Sequence, residues 1–102
     1  MSESYNKLVR DKIPQILDAK LVAYERRIAS SEEFKAELIR KLGEEVIEFS
    51  EAGDPEELAD VLEVVEALKA LPEYKEVEGL RVKKREERGG FDDRIILKGE
   101  KA

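Results

Sequence analysis

A G-D-P turn at residues 53–55 divides the middle of the chain into two segments that each carry a helical pattern. Glycine commonly ends a helix, aspartate caps the start of the next one, and proline suits its first turn. Apolar residues recur at helical spacing on both sides of the turn, over residues 34–49 and 57–71. Because so short a connection joins neighbouring helices, this feature predicts an antiparallel helix pair and an all-α fold.

Start and stop signals for helices place further elements on either side of this pair. The predicted elements are helices at about Ile13–Lys20, Ser31–Ala52, Pro55–Leu71 and Glu73–Arg88, and a short strand at Arg94–Lys98. Residues 21–28 (LVAYERRI) fit either a strand or an extended arm. With 102 residues, the chain is predicted to form a single domain, 1–102, that has short extended segments near its N- and C-termini.

Missing residue types limit the chemistry available to the chain. It has no cysteine and no histidine, which excludes disulfides, thiolate nucleophiles, soft-metal sites and imidazole catalysis. Carboxylates suit hard cations such as Mg²⁺ or Mn²⁺. The net charge of −6 argues against binding of nucleic acid. No apolar run approaches the ~20 residues of a membrane span, and no apolar signal region is apparent, so we expect a cytoplasmic protein.

Four acids on the helix pair occupy unusual positions. Glu45 falls within the apolar stripe of the first helix, and Glu57 and Asp60 fall on or beside the stripe of the second. Glu45 and Glu48 are three residues apart, as are Glu57 and Asp60, so each couple shares one helix face. The two couples lie at similar distances from the turn and should face each other. Four converging carboxylates repel strongly, and one or two Mg²⁺ ions would relieve that repulsion.

The same spacing has a simpler interpretation. Charged residues make up 43% of the chain, and in such a sequence pairs of glutamates three residues apart arise by chance. Most pairs of this kind lie on a solvated helix face. Position within the apolar stripes favours the metal site, but the spacing alone leaves both interpretations open.

The acidic segments carry a resemblance to a known family. KLGEEVIEF followed by PEELADVLEVVEAL resembles the EExxE…ExxD pattern of the all-α nucleoside triphosphate pyrophosphohydrolase superfamily, which includes MazG-like proteins. YNKLVRDKIP near the start and KKREERGGFDDRIIL near the end resemble a small MazG-like subgroup related to phosphoribosyl-ATP pyrophosphohydrolase. The resemblance covers most of the chain. It implies Mg²⁺-dependent hydrolysis of a nucleoside triphosphate, or a related nucleotide pyrophosphate, to a monophosphate and pyrophosphate, with house-cleaning of non-standard nucleotides as one biological use.

The resemblance also implies roles for individual residues. Glu45, Glu48, Glu57 and Asp60 would be the Mg²⁺ ligands. Glu44 would be a supporting acid or would orient the attacking water, and Glu45 could accept the proton of that water.

Substrate phosphates need cations besides the metal. The candidates are Lys7, Arg10 and Lys12 in the N-terminal motif, and Lys84 and Arg88 near the C-terminal motif. Lys84 and Arg88 also suit a solvated helix end, where basic residues complement the helix dipole. Asp11 could pair with one of the N-terminal cations instead of leaving it to phosphate.

Two further expectations concern assembly and substrate. Two helices with short flanks cannot enclose all of the apolar stripes, so we expect a homodimer, or a higher homo-oligomer, that completes a four-helix bundle. The G-D-P turn is too short to shape a pocket for a base, so residues 21–31 or a neighbouring subunit would have to supply that wall. The alternative to an enzyme is a non-catalytic helical module that binds a nucleotide or a protein and oligomerises.

Overall fold

The structure, a computed structural model, describes residues 6–100, and over that range it is all-helical, without a strand. Its elements are α1 (Ile13–Ala19), α2 (Ser31–Ala52), α3 (Pro55–Lys69), one turn of 3₁₀-helix (Pro72–Tyr74) and α4 (Val77–Arg88). The prediction of an all-α fold is confirmed. Tyr5, the first residue of the N-terminal motif, lies outside the described residues. No helix within residues 6–100 is long and apolar enough to cross a membrane.

Local sequence signals explain the bounds of α2 and α3. The Ser30 side chain accepts a hydrogen bond from the backbone N–H of Glu33 (3.2 Å) at the start of α2. Gly53 ends this helix with φ +66°, a left-handed conformation that costs glycine little. The Asp54 side chain then accepts from the backbone N–H of Glu57 (2.9 Å), which caps α3. The predicted helix pair is therefore confirmed, with α3 ending two residues earlier than expected.

The two long helices pack against each other in antiparallel fashion. Lys35, in the first turns of α2, forms an ion pair with Glu73 (3.6 Å) and lies over the ring of Tyr74 (5.1 Å), just beyond the end of α3. The main contact between elements is that of α2 with α3. Within residues 6–100 only Leu38 of α2 (3% exposed) and Val64 of α3 (6% exposed) form a buried apolar core. The core is thus a narrow seam between two helices.

The segments outside the pair differ from the predictions in three places. The predicted strand Arg94–Lys98 is wrong, because Arg94 adopts a left-handed conformation (φ +57°) and no strand lies among the described residues to pair with it. The predicted helix Glu73–Arg88 is divided into the 3₁₀ turn and α4, which begins only at Val77. Residues 22–30 form an extended arm rather than a strand, and the arm follows a left-handed turn at Leu21 (φ +58°).

Taken as a single chain, the molecule has little interior. Its radius of gyration is 18.2 Å and its extents are 55 × 32 × 23 Å. A compact domain of about 100 residues has a radius of gyration of about 13 Å. Many large apolar side chains are exposed, among them Ile39, Ile47, Leu62, Leu80, Phe91 and Ile96.

Candidate metal centre

Glu45 and Glu57 hold carboxylate oxygens inside the helix pair. The side chain of Glu45 is only 12% exposed, and the ammonium group of Lys41, one turn earlier on α2, lies 3.7 Å from its Oε1. The Oε2 atoms of Glu45 and Glu57 are both buried and have no hydrogen-bond partner. A buried oxygen left without a partner is expensive, more so when it carries charge.

Glu45, Glu57 and Asp60 come together at one point between the helices. One carboxylate oxygen from each lies within 4.8 Å of the other two, although Glu45 belongs to α2 and the others to α3. The capped turn at Gly53–Asp54 sets the register that brings them level. Three oxygens at this separation suit a single ion placed among them. The predicted convergence of acids from facing helices is observed for these three.

Glu48 completes the charge of the cluster without being part of its closest group. Its side chain is exposed. Burial raises the pKa of Glu45, and the neighbouring carboxylate of Glu48 raises it further, while the Lys41 ammonium opposes the shift. Burial also raises the pKa of Glu57, followed by the charge of Glu48 and then those of Asp60, Asp54 and Glu45. The cluster therefore disfavours its own full ionisation.

Arg10 carries the N-terminal motif to this cluster. Its guanidinium donates a 2.6 Å hydrogen bond to Oδ1 of Asp60, a residue 50 positions away in the sequence. Arg10 thus pairs with Asp60 and not with Asp11. Sequence analysis named Arg10 and Asp60 for separate reasons, and the structure places them side by side.

The other predicted site residues differ in whether the structure links them to the cluster. Lys7 and Glu44 lie around one shallow surface depression together with Lys41, which pairs with Glu45. Lys12 is exposed at the start of α1. Lys84 and Arg88 are exposed on α4, and no ion pair within residues 6–100 joins them to the four acids. One chain therefore brings Lys7, Arg10 and Glu44 toward the site but not Lys84 or Arg88.

Lys41 was not among the site residues predicted from the sequence. This residue lies four positions before Glu45 and supplies the cationic charge that partly offsets it. A lysine and a glutamate four apart share a helix face, so the spacing could have identified it.

No family profile, curated protein or solved structure matches the chain. The resemblance to pyrophosphohydrolases thus stays a prediction that depends on the quoted motifs, and the geometry of the acids is independent of it.

Proposed function

We propose that the chain is a Mg²⁺-dependent nucleotide pyrophosphohydrolase, which splits a nucleoside triphosphate or a related pyrophosphate into a monophosphate and pyrophosphate. One observation carries the proposal. Carboxylates from two helices converge within 4.8 Å, and Glu45 and Glu57 of this group each keep a buried oxygen without a partner. An arrangement that opposes folding is expected where it serves a ligand, and the motifs suggest which ligand.

The donor set fits a hard divalent cation. All of the candidate ligands are carboxylate oxygens, and Glu45, Glu57 and Asp60, with Glu48 beside them, would hold the ion. A bound Mg²⁺ would neutralise charge on the phosphate oxygens and lower the pKa of a coordinated water. Mn²⁺ has similar ligand preferences and is the expected substitute.

The remaining chemistry belongs to side chains of the chain. Glu45 would accept the proton of the water that attacks phosphorus, as the resemblance implies. Glu44 immediately precedes Glu45 on α2 and would orient that water. Arg10 is within hydrogen-bond distance of Asp60, so a phosphate that approaches the acids meets a guanidinium suited to two-point binding.

The deciding experiment is pyrophosphate release from a panel of nucleoside triphosphates, with Mg²⁺ and with EDTA. Release should require Mg²⁺, and Glu45→Gln should reduce it by at least about 100-fold, because loss of a residue that only orients a metal ligand already costs about 10–100-fold. Glu63→Gln, which changes an exposed glutamate on α3, is the matched control and should keep full activity. Equal activity of both variants, or release that persists in EDTA, would contradict the proposal.

We propose that the working form is a homo-oligomer whose simplest version is a dimer. A second apolar stripe runs beside the buried seam, with Ile39 and Val46 seven apart on α2 and Leu58 and Leu62 four apart on α3. These spacings keep each set on one helix face, and all four side chains are exposed in the single chain. Stacking this face on its copy would complete a four-helix bundle.

Sedimentation of two matched variants tests the assembly. Leu62→Asp should convert the oligomer to monomer, because it places a charge in the proposed interface. Leu80→Asp changes a leucine of similar exposure on α4 and should leave the sedimentation coefficient unchanged. A wild-type chain that sediments as a monomer would exclude the bundle and leave the metal site to be judged on its own assay.

A further inference from the structure

Arg10, which pairs with Asp60 of the acidic cluster, also lines an open cleft. The cleft has a volume of about 860 Å³ and is bounded by residues 6–11, α1, the extended arm and the first turns of α2. Binding sites for small molecules usually have volumes of ~300–1,000 Å³, so the cleft has room for a nucleoside. None of the proposed metal ligands lines this cleft.

Arg10 connects this cleft to the acids. It lines the cleft, and its guanidinium also pairs with Asp60 at 2.6 Å. A molecule whose phosphates reach the acidic cluster would therefore pass Arg10 and extend its other end into the cleft. The direction of a bound substrate follows from this one contact.

The walls of the cleft offer apolar and aromatic surface together with cations. Ile13, Leu17, Tyr24 and Phe34 line it, and Arg26 is a cation on the same wall as Tyr24. Aromatic faces and arginine side chains are the groups on which nucleobases stack without strict sequence preference.

Two contacts hold the wall in place before any ligand binds. The Tyr24 hydroxyl donates a 2.8 Å hydrogen bond to Asp18, which ties the arm to α1. Arg27 donates through both of its terminal nitrogens to Glu33 at 2.6 Å each, which ties the arm to α2. An arm fixed at both sides presents its aromatic ring at little further cost in ordering.

We propose that this cleft binds the nucleoside end of the substrate, with the base against the ring of Tyr24 and the phosphates directed past Arg10 to the acids. The inference rests on the proposed function for the identity of the ligand. The cleft would supply the base-binding wall that the short G-D-P turn does not provide. The ligand class is a purine or pyrimidine nucleotide rather than a simple polyphosphate.

Titration of isotope-labelled protein, followed by the NMR signals of the backbone amides, tests the proposal without metal and without turnover. Adenosine monophosphate should shift the signals of residues 24–28 and of α1. Ribose 5-phosphate, which lacks the base, should shift signals near Arg10 but leave those of residues 24–28 unchanged. Shifts confined to the acidic cluster or to α4, or the same pattern with both ligands, would overturn the proposal.

Variants of two tyrosines sharpen this result. Tyr24→Leu should weaken binding of adenosine monophosphate by roughly tenfold, within the range reported for loss of one stacked base. Tyr24→Phe keeps the ring and loses the hydrogen bond to Asp18, but Arg27 still ties the arm to Glu33, so the loss of affinity should be much smaller than in Tyr24→Leu. Tyr74→Leu is the matched control, because Tyr74 lies under Lys35 and is not one of the residues that line the cleft, so it should have no effect. Equal losses in Tyr24→Phe and Tyr24→Leu would show that Tyr24 only tethers the arm.

The outcome separates this proposal from the proposed function. If nucleotides shift the signals of residues 24–28 but the protein releases no pyrophosphate, the proposal of a nucleoside-binding cleft stands and the proposal of an enzyme is wrong. If the protein releases pyrophosphate but the signals of the cleft residues do not shift, the proposal of an enzyme stands and the proposal of a nucleoside-binding cleft is wrong.

Discussion

The α2–α3 pair and the segments that flank it use similar amounts of apolar sequence to different effect. In the pair, Leu38 and Val64 are buried against the opposite helix. In the flanks, Leu21 and Phe91 are almost wholly exposed, at 94% and 96%. The pair has two stripes at matching spacing joined by a turn of two residues, whereas no element within residues 6–100 covers Leu21 or Phe91. Apolar content builds structure only where a complementary face lies within reach.

Truncation of one leucine in each region should give the largest contrast. Leu38→Ala removes the most buried side chain of the pair and should lower the free energy of unfolding by about 2–4 kcal/mol. Leu97→Ala changes a leucine that is 90% exposed and should change the free energy of unfolding by less than about 0.5 kcal/mol. Urea denaturation monitored by circular dichroism measures both. Equal losses would mean that the C-terminal segment is packed against a partner as tightly as the pair.

Mg²⁺ should stabilise the protein through the acids of the helix pair and not through the acids of the C-terminal segment. At a concentration ~100 times its dissociation constant, an ion that binds only the folded state adds about 2.7 kcal/mol and raises Tm. Glu57→Gln should remove most of this gain, since Glu57 is one of the three converging carboxylates. Asp93→Asn, in the exposed C-terminal segment, should keep it. A thermal scan with and without Mg²⁺ that shows the same gain in both variants would argue against the site.

Helix caps should show a smaller difference. The Asp54 side chain caps α3, so Asp54→Ala should cost about 1 kcal/mol of stability. Glu76 precedes α4 and forms no side-chain cap, so Glu76→Ala should change stability by only a few tenths of a kcal/mol. Both values come from chemical denaturation at neutral pH. A larger loss in Glu76→Ala would show that α4 depends on contacts of Glu76 beyond its own first turn.

The pH dependence of stability should run in opposite directions for two glutamates. In EDTA, Glu45 has a pKa above its ordinary 4.5, so its contribution to stability falls as pH rises from about 4.5 through the raised pKa. Glu78 on α4 has its pKa lowered to about 2 by hydrogen bonds from Arg81 and Lys69, so its contribution is present above about 4.5 and is lost as pH falls toward 2.

Two substitutions separate these opposite effects. Glu45→Gln should stabilise the metal-free protein at neutral pH, and Glu78→Gln should weaken it slightly. Urea midpoints measured from pH 2 to 7 provide the comparison. If the metal-free Glu45→Gln variant is as stable as the wild type at every pH, then ionisation of Glu45 does not destabilise the folded protein.

Sequence reasoning succeeded where the signal was local and failed where it depended on distant partners. The stripes of α2 and α3, the glycine stop at Gly53 and the Asp54 cap are all written within a few residues of where they act. The strand expected at Arg94–Lys98 had the right residue types, but a strand needs a neighbour, and none lies among the described residues.

The site shows the same division. Convergence of Glu45, Glu57 and Asp60 followed from the register of the turn, which the sequence states. The pairing of Arg10 with Asp60 did not, because nothing near either residue indicates a partner 50 positions away. Lys41 was the exception, a local signal at helical spacing that was overlooked.

That long separation between Arg10 and Asp60 has a consequence for the order of folding. The helix pair closes through a two-residue turn, so its contacts form between near neighbours in the chain, and structures of this kind fold quickly. The Arg10–Asp60 contact closes a loop of about 50 residues, which has a larger entropic cost and is gained after the pair exists. We therefore expect the acids to assemble first as an open, highly charged surface. The N-terminal segment would dock on them in a later, salt-sensitive kinetic phase.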